Sequence, residues 1–394
     1  MITPTFTRAT PAYLSDGTQV ASGVPRFEWG RYGVPSTDNQ HYNKAIMVEE
    51  GTTNLCVSGN NLTQSPWTSG GGLVTAYDSG LDETTLTDNN ATDHGRVSQS
   101  LTLTVGVPYT LSYRVKKSSA VLAYGINIYC GIAYYPRVWL HTGELSTATS
   151  GPGTTVITDA GDSWHVAHTL TPTSGTATVE IYPALITSYP SGVSAAASTG
   201  SATFKNVQME QKGYATTYTP SGTPRNPELI TIPDASTLVT PVAGTIEMWV
   251  YVNPALKRTF SGNSPRLFQL NRGNAASYGV TLVHSPSSPV FSLVTANDSN
   301  TVSSITTSSA DIGTGWHHFA VTFSASEARL LIDGVFRARI LNPNLPTSFK
   351  ELYIGHVSGS GQCNTLIDSI RISNKARTAA EILTTYESEK PRVL

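Results

Sequence analysis

Between Trp316 and Ile340 the chain reads WHHFAVTFSASEARLLIDGVFRARI, with apolar positions recurring every second residue. Phe319, Val321 and Phe323 alternate with His318, Ala320 and Thr322, the period of a strand with one buried face. Leu330 and Ile332 share a face in the next run. Asp333-Gly334 then supplies the two positive-φ residues of a tight hairpin, and Phe336, Ala338 and Ile340 alternate with Arg337 and Arg339. The pattern predicts a three-strand antiparallel meander. Ile246, Met248, Val250 and Val252 repeat the alternation against Glu247, Trp249 and Tyr251.

The same period fills the middle of the chain. Leu101, Leu103 and Val105 form one such set, Tyr109, Leu111, Tyr113 and Val115 another, and Ile126, Ile128 and Cys130 a third, opposed to Asn127 and Tyr129. Trp164, Val166, His168 and Leu170 follow, then Ala177, Val179 and Ile181, with turn signals at 151–153 and 173–175. Only the end changes period: Thr378 and Glu381 form a capping box, and Ile382 and Tyr386 an apolar i, i+4 face, predicting a helix that lids the end of a sandwich. The fold expected is all-β, two tandem antiparallel β-sandwiches (jelly rolls) with an extended N-terminal segment and a short C-terminal helix.

A length of 394 residues exceeds one ordinary core. The stretch VQMEQKGYATTYTPSGTPRNPELITIP, at 207–233, carries prolines and glycines that favour irregular chain, placing a domain boundary near Pro224. The division expected is 1–60, an extended anchoring segment too poor in apolar runs to form a core; 61–223, a first sandwich; and 224–394, a second.

Composition removes several functions. With 13% charged residues and a formal net charge of -2, no basic field attracts nucleic acid or an acidic membrane surface. No run approaches the ~20 apolar residues of a membrane span, and the N-terminus lacks an apolar signal core, so synthesis in the cytoplasm of the producing cell is expected. Cys56, Cys130 and Cys363 lie far apart and read as small buried side chains rather than a disulfide or zinc framework.

Five motifs in order carry a resemblance: GTIEMWVYV at 244–252, WHHFAVTF, LLIDG, LYIG at 352–355 and LIDSIRISNKARTAAEI at 366–382. They resemble the laminin-G-like, concanavalin A-like jelly roll, a fold that hosts lectin-like binders, glycosidases and structural modules. The stretch 61–223 resembles the carbohydrate-binding-module-like jelly rolls of phage tail and fibre proteins. Arg8, Ala12, Tyr13, Pro25, Arg26, Glu49, Glu50, Thr53, Asn54 and Leu55 match, in order, an N-terminal module of tailed-bacteriophage structural proteins. The resemblance implies a virion structural protein of the particle exterior, a peripheral tail or fibre component with adhesin-like domains. A capsid-surface decoration (head fibre) protein is the alternative, and a glycan depolymerase the alternative from another class. The partners implied are other virion proteins, further copies of the chain in a homo-oligomer and a host-surface polysaccharide.

Candidate chemistry is sparse. Catalytic members of the concanavalin A-like group carry paired acids on one strand as Glu-x-Asp-x-x-Glu, and this sequence has no such run; Glu247, alone on its strand, reads as a solvent-side or rim residue. No Gly-x-Ser-x-Gly elbow is present, and His317 and His318, adjacent in a strand, face opposite sides, so no enzyme activity and no cofactor are expected. Asp368 shares parity with Leu366, Ile370 and Ile372 and should point toward the core. There it either accepts hydrogen bonds or joins a structural calcium site, as in some jelly rolls of the group. Sugar binding would use aromatic rings beside polar groups, and the densest set is Tyr129, Tyr134, Tyr135, Arg137 and Trp139, with Trp67 apart. The same rings would equally fill a core or an oligomer interface.

Overall fold

The computed structural model describes residues 5–10, 12–13, 19–25, 27–28, 45–186, 198–222, 224–252, 264–273, 278–284, 290–307, 312–357 and 360–393. The all-β expectation holds: among the described residues four antiparallel sheets of six or seven strands pair into two sandwiches, Ala12–Tyr13 and Gln19–Val20 form a separate two-stranded ribbon, and one α-helix, α1 (Ala379–Val393), follows the last strand.

In the first sandwich one sheet runs in the order Thr154–Asp159, Ser163–Leu170, Tyr109–Lys116, Gly200–Glu210, Glu83–Asp88, Val74–Asp78. The opposing sheet runs Ala133–Tyr134, Ala123–Tyr129, Thr176–Ile186, Arg96–Thr102, Thr68–Gly70, with Arg137–Trp139 also paired to Ala123–Tyr129. The alternating sets from the sequence fill the space between them: Leu111, Tyr113, Val115, Ile126, Ile128, Cys130, Val166, Val179 and Ile181 belong to one buried cluster. Val105, half exposed, falls outside the strand that ends at Thr102.

In the second sandwich one sheet runs Val335–Leu341, Glu327–Ile332, Gly315–Ser324, Ala243–Val252, Thr365–Ser373, Ala45–Val48, Phe27–Glu28. The meander is there, with Asp333 at φ 55° and Gly334 at φ 72° in its hairpin, and Phe319, Val321, Phe323, Leu330 and Ile332 in the core. Phe336 departs from the alternation. A register shift between Leu330 and Leu331 sets it opposite Leu331, and it stays 49% exposed. The facing sheet runs Thr5–Thr7, Leu229–Ile232, Glu351–Ile354, Arg266–Asn271, Tyr278–His284, Phe291–Ala296, Val302–Thr306.

Strand pairing cuts across the division by chain order. Thr5–Thr7 pairs with Leu229–Ile232, and Ala45–Val48 pairs with Thr365–Ile367 and with Phe27–Glu28, so these three strands of residues 1–60 are woven into the C-terminal sandwich, while among the described residues Ala12–Tyr13 and Gln19–Val20 pair only with each other. The first sandwich is thus inserted between two parts of the second. Its incoming and outgoing chains lie side by side: the Thr52 N–H donates to the Arg225 carbonyl at 2.9 Å, and the Leu55 N–H to Met209 at 2.8 Å.

Side chains from the N-terminal motif knit this junction. Arg8 Nη1 donates to Glu228 at 2.8 Å with both side chains fully buried, and Arg225 pairs with Glu49 in equal seclusion. Asn54 Oδ1 accepts from the Met209 N–H at 3.1 Å, and Glu50 takes Lys212 Nζ at 2.7 Å and the Tyr214 hydroxyl at 2.6 Å. Removing one partner of such a pair leaves a charge stranded away from water, at a cost of about 3–5 kcal/mol. Tyr13 and Arg26 lie outside the residues whose side chains are described.

The helix starts on the predicted capping box, with the Glu381 N–H donating to Thr378 Oγ1 at 3.2 Å and the Thr378 N–H to Glu381 at 2.8 Å. It does not cap the sandwich end. Instead it lies on the outer face of the Ala243–Val252 sheet, where Ile382 packs on Ala320 and Leu331 and Tyr386 stacks on Trp249. Gly334 permits this approach, since a Cβ there would lie 2.6 Å from Leu383 Cδ1.

Candidate functional site

Three adjoining strands set the outer face of the Ala123–Tyr129 sheet. With Ile126 and Ile128 turned to the core, Asn127 and Tyr129 must point outward, and the register places Tyr129 beside Thr178 and Ser100, and Asn127 beside Glu180 and Ser98. Gly125 comes next, opposite Tyr182 and Arg137. A Cβ at Gly125 would lie 2.1 Å from Leu185 Cδ1, so glycine lets Leu185 and Arg137 close over the strand. The result is a polar ladder with a wall of Trp139, Tyr182 and Leu185 at one end and the Tyr129 ring at the other.

The polar groups are ordered by one another. Glu180 Oε2 accepts from the Tyr182 hydroxyl at 2.6 Å and from Asn127 Nδ2 at 3.2 Å, while Oε1 meets Arg96 Nε at 3.2 Å. Asn127 Nδ2 also donates to the Tyr129 hydroxyl at 3.1 Å. Tyr129 and Tyr135 pack edge to face with centroids 5.7 Å apart, and the Arg137 guanidinium lies 5.8 Å from the Tyr135 ring. Burial, reinforced by Glu180, raises the Tyr129 and Tyr182 phenols above their ordinary range, and burial lowers the Arg137 guanidinium below its own.

The five aromatic and basic residues singled out in the sequence divide here. Tyr129, 38% exposed, and half-buried Tyr135 reach the surface, and Arg137 braces them from beneath while Nη1 donates to the carbonyls of Ile126 and Pro136. Trp139 is fully buried in the wall against Ala123, Tyr182 and Leu185, so it cannot stack on a ligand as the sequence suggested. Tyr134 turns to the other side, into the core, because successive residues of a strand alternate faces. There its hydroxyl meets Thr155 at 2.7 Å, in a chain that continues through His168 to Tyr113 and Tyr124. Burial lowers His168 to about 3, keeping it neutral so that it can donate and accept within that chain. Trp67 is likewise buried, donating to the Val57 carbonyl at 2.8 Å.

Asn127, Glu180, Tyr182 and Arg96 are the members of the face that sequence reasoning passed over. Parity alone placed Asn127 with Tyr129, but only the register of 176–186 and 96–102 brings the other three beside them.

On the second sandwich the equivalent outward face is covered. Glu247 and His318, each 1% exposed, approach to 3.5 Å beneath α1; Arg377 pairs with Glu247, and Glu389 accepts from Trp249 Nε1 at 2.9 Å and pairs with Arg371. Glu247 is therefore no rim residue: the helix that covers it supplies its shelter. Burial pushes its carboxyl up against the opposing pull of Arg377, and burial lowers His318 to about 4. His317 turns the other way and meets Asp333 at 2.8 Å.

Asp368 does not face the core. Ser369, at φ 50°, inserts a bulge that reverses the parity, so Ile367 and Ile370 both turn inward and Asp368 stays outward with Leu366. Its Oδ1 accepts from the Ser369 N–H at 2.6 Å, and it is half-buried. Among the described residues no group of three or more His, Cys, Asp or Glu side chains is placed to hold a metal ion. Cys56, Cys130 and Cys363 are buried and free of disulfides.

Comparison with known proteins bears on the second sandwich. Residues 225–383 match the family described as the Concanavalin A-like lectin/glucanases superfamily, Laminin_G_3, which makes this part of the chain a laminin-G-like, concanavalin A-like jelly-roll domain. No curated protein matches the chain in sequence. Among solved structures, the botulinum neurotoxin serotype G binding domain is 12% identical over 41% of this chain and 40% of its own, with a TM-score of 0.33. The binding domain of botulinum neurotoxin DC in complex with SialylT is 14% identical over 41% of this chain and 39% of its own, with a TM-score of 0.32. Domain 4 of an extracellular arabinanase from Geobacillus stearothermophilus, in complex with arabinotriose, is 15% identical over 40% of this chain and 72% of its own, with a TM-score of 0.30. The chain thus spans about two fifths of the toxin binding domains it resembles.

Proposed function

We propose that the protein binds glycans without cleaving them, as an adhesin-like component of a bacteriophage tail or fibre that meets a host-surface polysaccharide. The observation that carries the reading is the open ladder of the first sandwich, where Tyr129 and Tyr135 offer ring surface beside the polar row of Asn127, Glu180 and Arg96. Such a pairing suits a sugar, whose ring presents C–H groups on one side and hydroxyls at its edge. Hydrolysis would need a second carboxylate across the bond. On the described part of this face Glu180 is the single one, which favours binding over a depolymerase. The virion setting rests on the resemblance of Arg8, Glu49, Glu50, Thr53, Asn54 and Leu55 to the tailed-phage module, and a homo-oligomer would multiply weak single sites.

The experiment is adsorption of particles and binding of the purified chain to host polysaccharide, with Tyr129→Ala beside the wild type. Loss of binding at an unchanged melting temperature supports the reading. Unchanged binding, or release of reducing sugar, overturns it. Labelled antibody seen on tail or fibre by negative-stain microscopy supports the location, and label on the capsid surface moves the protein to the head.

A further inference from the structure

The open face sets one carboxylate, Glu180, already accepting from Tyr182 and Asn127, beside a guanidinium, Arg96, that carries further N–H donors. Asn127 directs Nδ2 to both Tyr129 and Glu180, an orientation fixed by the carboxylate, which can only accept. Its Oδ1 is left buried without a hydrogen-bond partner. Glu180 and Arg96 neutralise each other at 3.2 Å while remaining in reach of solvent, their side chains 15% and 37% exposed. The other guanidinium of the region, Arg137, is buried and bonded to backbone carbonyls. Ser98, Ser100 and Thr178 continue the row with hydroxyls.

Resting on the glycan-binding reading, we infer that Glu180 determines specificity: the face takes a neutral sugar whose adjacent hydroxyls donate to Glu180 and accept from Arg96, and it discriminates against sugars carrying a carboxylate. A hydroxyl both donates and accepts, so a pair of them satisfies the two halves of the ion pair without separating it. The carboxylate of a uronate or sialate only accepts, so it has no hydrogen to give Glu180 and meets it as a like charge. Tyr129 and Tyr135 supply the apolar side of the contact for either class, so the carboxylate decides between them.

The full chain is titrated by calorimetry at low salt with galactose and glucose hexasaccharides and with hexagalacturonate. The wild type should favour a neutral hexasaccharide by about tenfold or more, as expected where a site demands a hydroxyl donor. Glu180→Gln should narrow or reverse that preference by removing the charge and adding donors, whereas Glu180→Asp should keep its sign. Tighter binding of hexagalacturonate by the wild type, or equal weakening of both classes in Glu180→Gln, overturns the inference; if Tyr129→Ala still abolishes binding, the glycan-binding reading stands. Binding of neither class overturns both. Should Glu180→Gln fail to fold, Arg96→Gln decides: weaker neutral binding with no gain for the uronate supports the inference, and a gain for the uronate sinks it.

Discussion

On the outer face of the Ala243–Val252 sheet α1 buries Trp249, Glu247 and His318, whereas on the outer face of the Ala123–Tyr129 sheet Tyr129 and Tyr135 stay within reach of solvent. Both faces mix rings with charged groups. They differ in what covers them: in the family-matched jelly roll the charges are spent holding a helix down, and in the inserted sandwich the Glu180–Arg96 pair stays in reach of solvent beside partly exposed rings. A family match to residues 225–383 therefore points to one domain, and the exposed rings of the proposed site lie in the other.

The comparison breaks most severely if the two sandwiches are separated. A fragment of 228–394 lacks Thr5–Thr7 and Ala45–Val48, which leaves Leu229–Ile232 and Thr365–Ser373 as open edges and removes Met47 and Val48 from buried positions. It should aggregate or give no cooperative thermal transition, and a sharp two-state melt would show that the N-terminal strands are dispensable. Next in size is Arg377→Ala, which strands the Glu247 carboxylate beneath the helix. A loss of about 3–5 kcal/mol in denaturant unfolding is expected. A loss below 1 kcal/mol would mean that the covered face does not depend on its ion pairs.

Acidification should act on the covered face as well. The folded state holds His318 at about 4, below the ordinary 6.5, so from pH 6.5 downward the unfolded chain binds the proton more readily. The stability this histidine contributes is whole above pH 6.5 and is lost as pH falls through about 4. His356, also lowered to about 4 by burial, adds to the same slope, whereas Glu247, raised by burial, works against it. Melting temperature should fall between pH 6.5 and 4, less steeply in His318→Gln, and an equal slope in that variant would exclude His318 as a source. The smallest effect on stability is expected from Tyr129→Ala on the open face, within about 0.5 kcal/mol, with binding lost all the same. Unfolding of this variant would reveal Tyr129 as a packing residue.

Period-two alternation made most strands legible, because one face of each is buried and the sequence must say which. It misled where a single residue interrupted the period. The bulge at Ser369 separated Asp368 from the inward Ile370, the shift at Leu330 and Leu331 left Phe336 exposed, and neither bulge announces itself in residue type. Helix α1 was legible from Thr378 and Glu381, but its resting place was not, since Glu247, His318 and Glu389 meet only across distant parts of the chain. The open face, as a candidate, was legible by half. Tyr129 and Tyr135 were found from local density of rings, Trp139 and Tyr134 were drawn in by the same signal and lie buried, and Glu180 and Arg96 depended on register between strands far apart in sequence.

The side-by-side passage of the two connecting chains, with Leu55 bonded to Met209 and Thr52 to Arg225, has a consequence for how such a molecule can change. A module whose two ends leave its scaffold at neighbouring points can be exchanged whole, since any replacement with equally close ends meets the same pair of sockets. The scaffold would keep its own strands, Arg8 and Glu228 included, while the swapped module carried a different ladder of side chains. Joining residue 54 to residue 210 through a short glycine link should leave a free-standing scaffold, and splicing a foreign sandwich between the same residues should give a molecule with the same scaffold and a different outer face. Recombination at two such seams alters what a surface recognises in one event, without point-by-point remodelling of the domain that holds it.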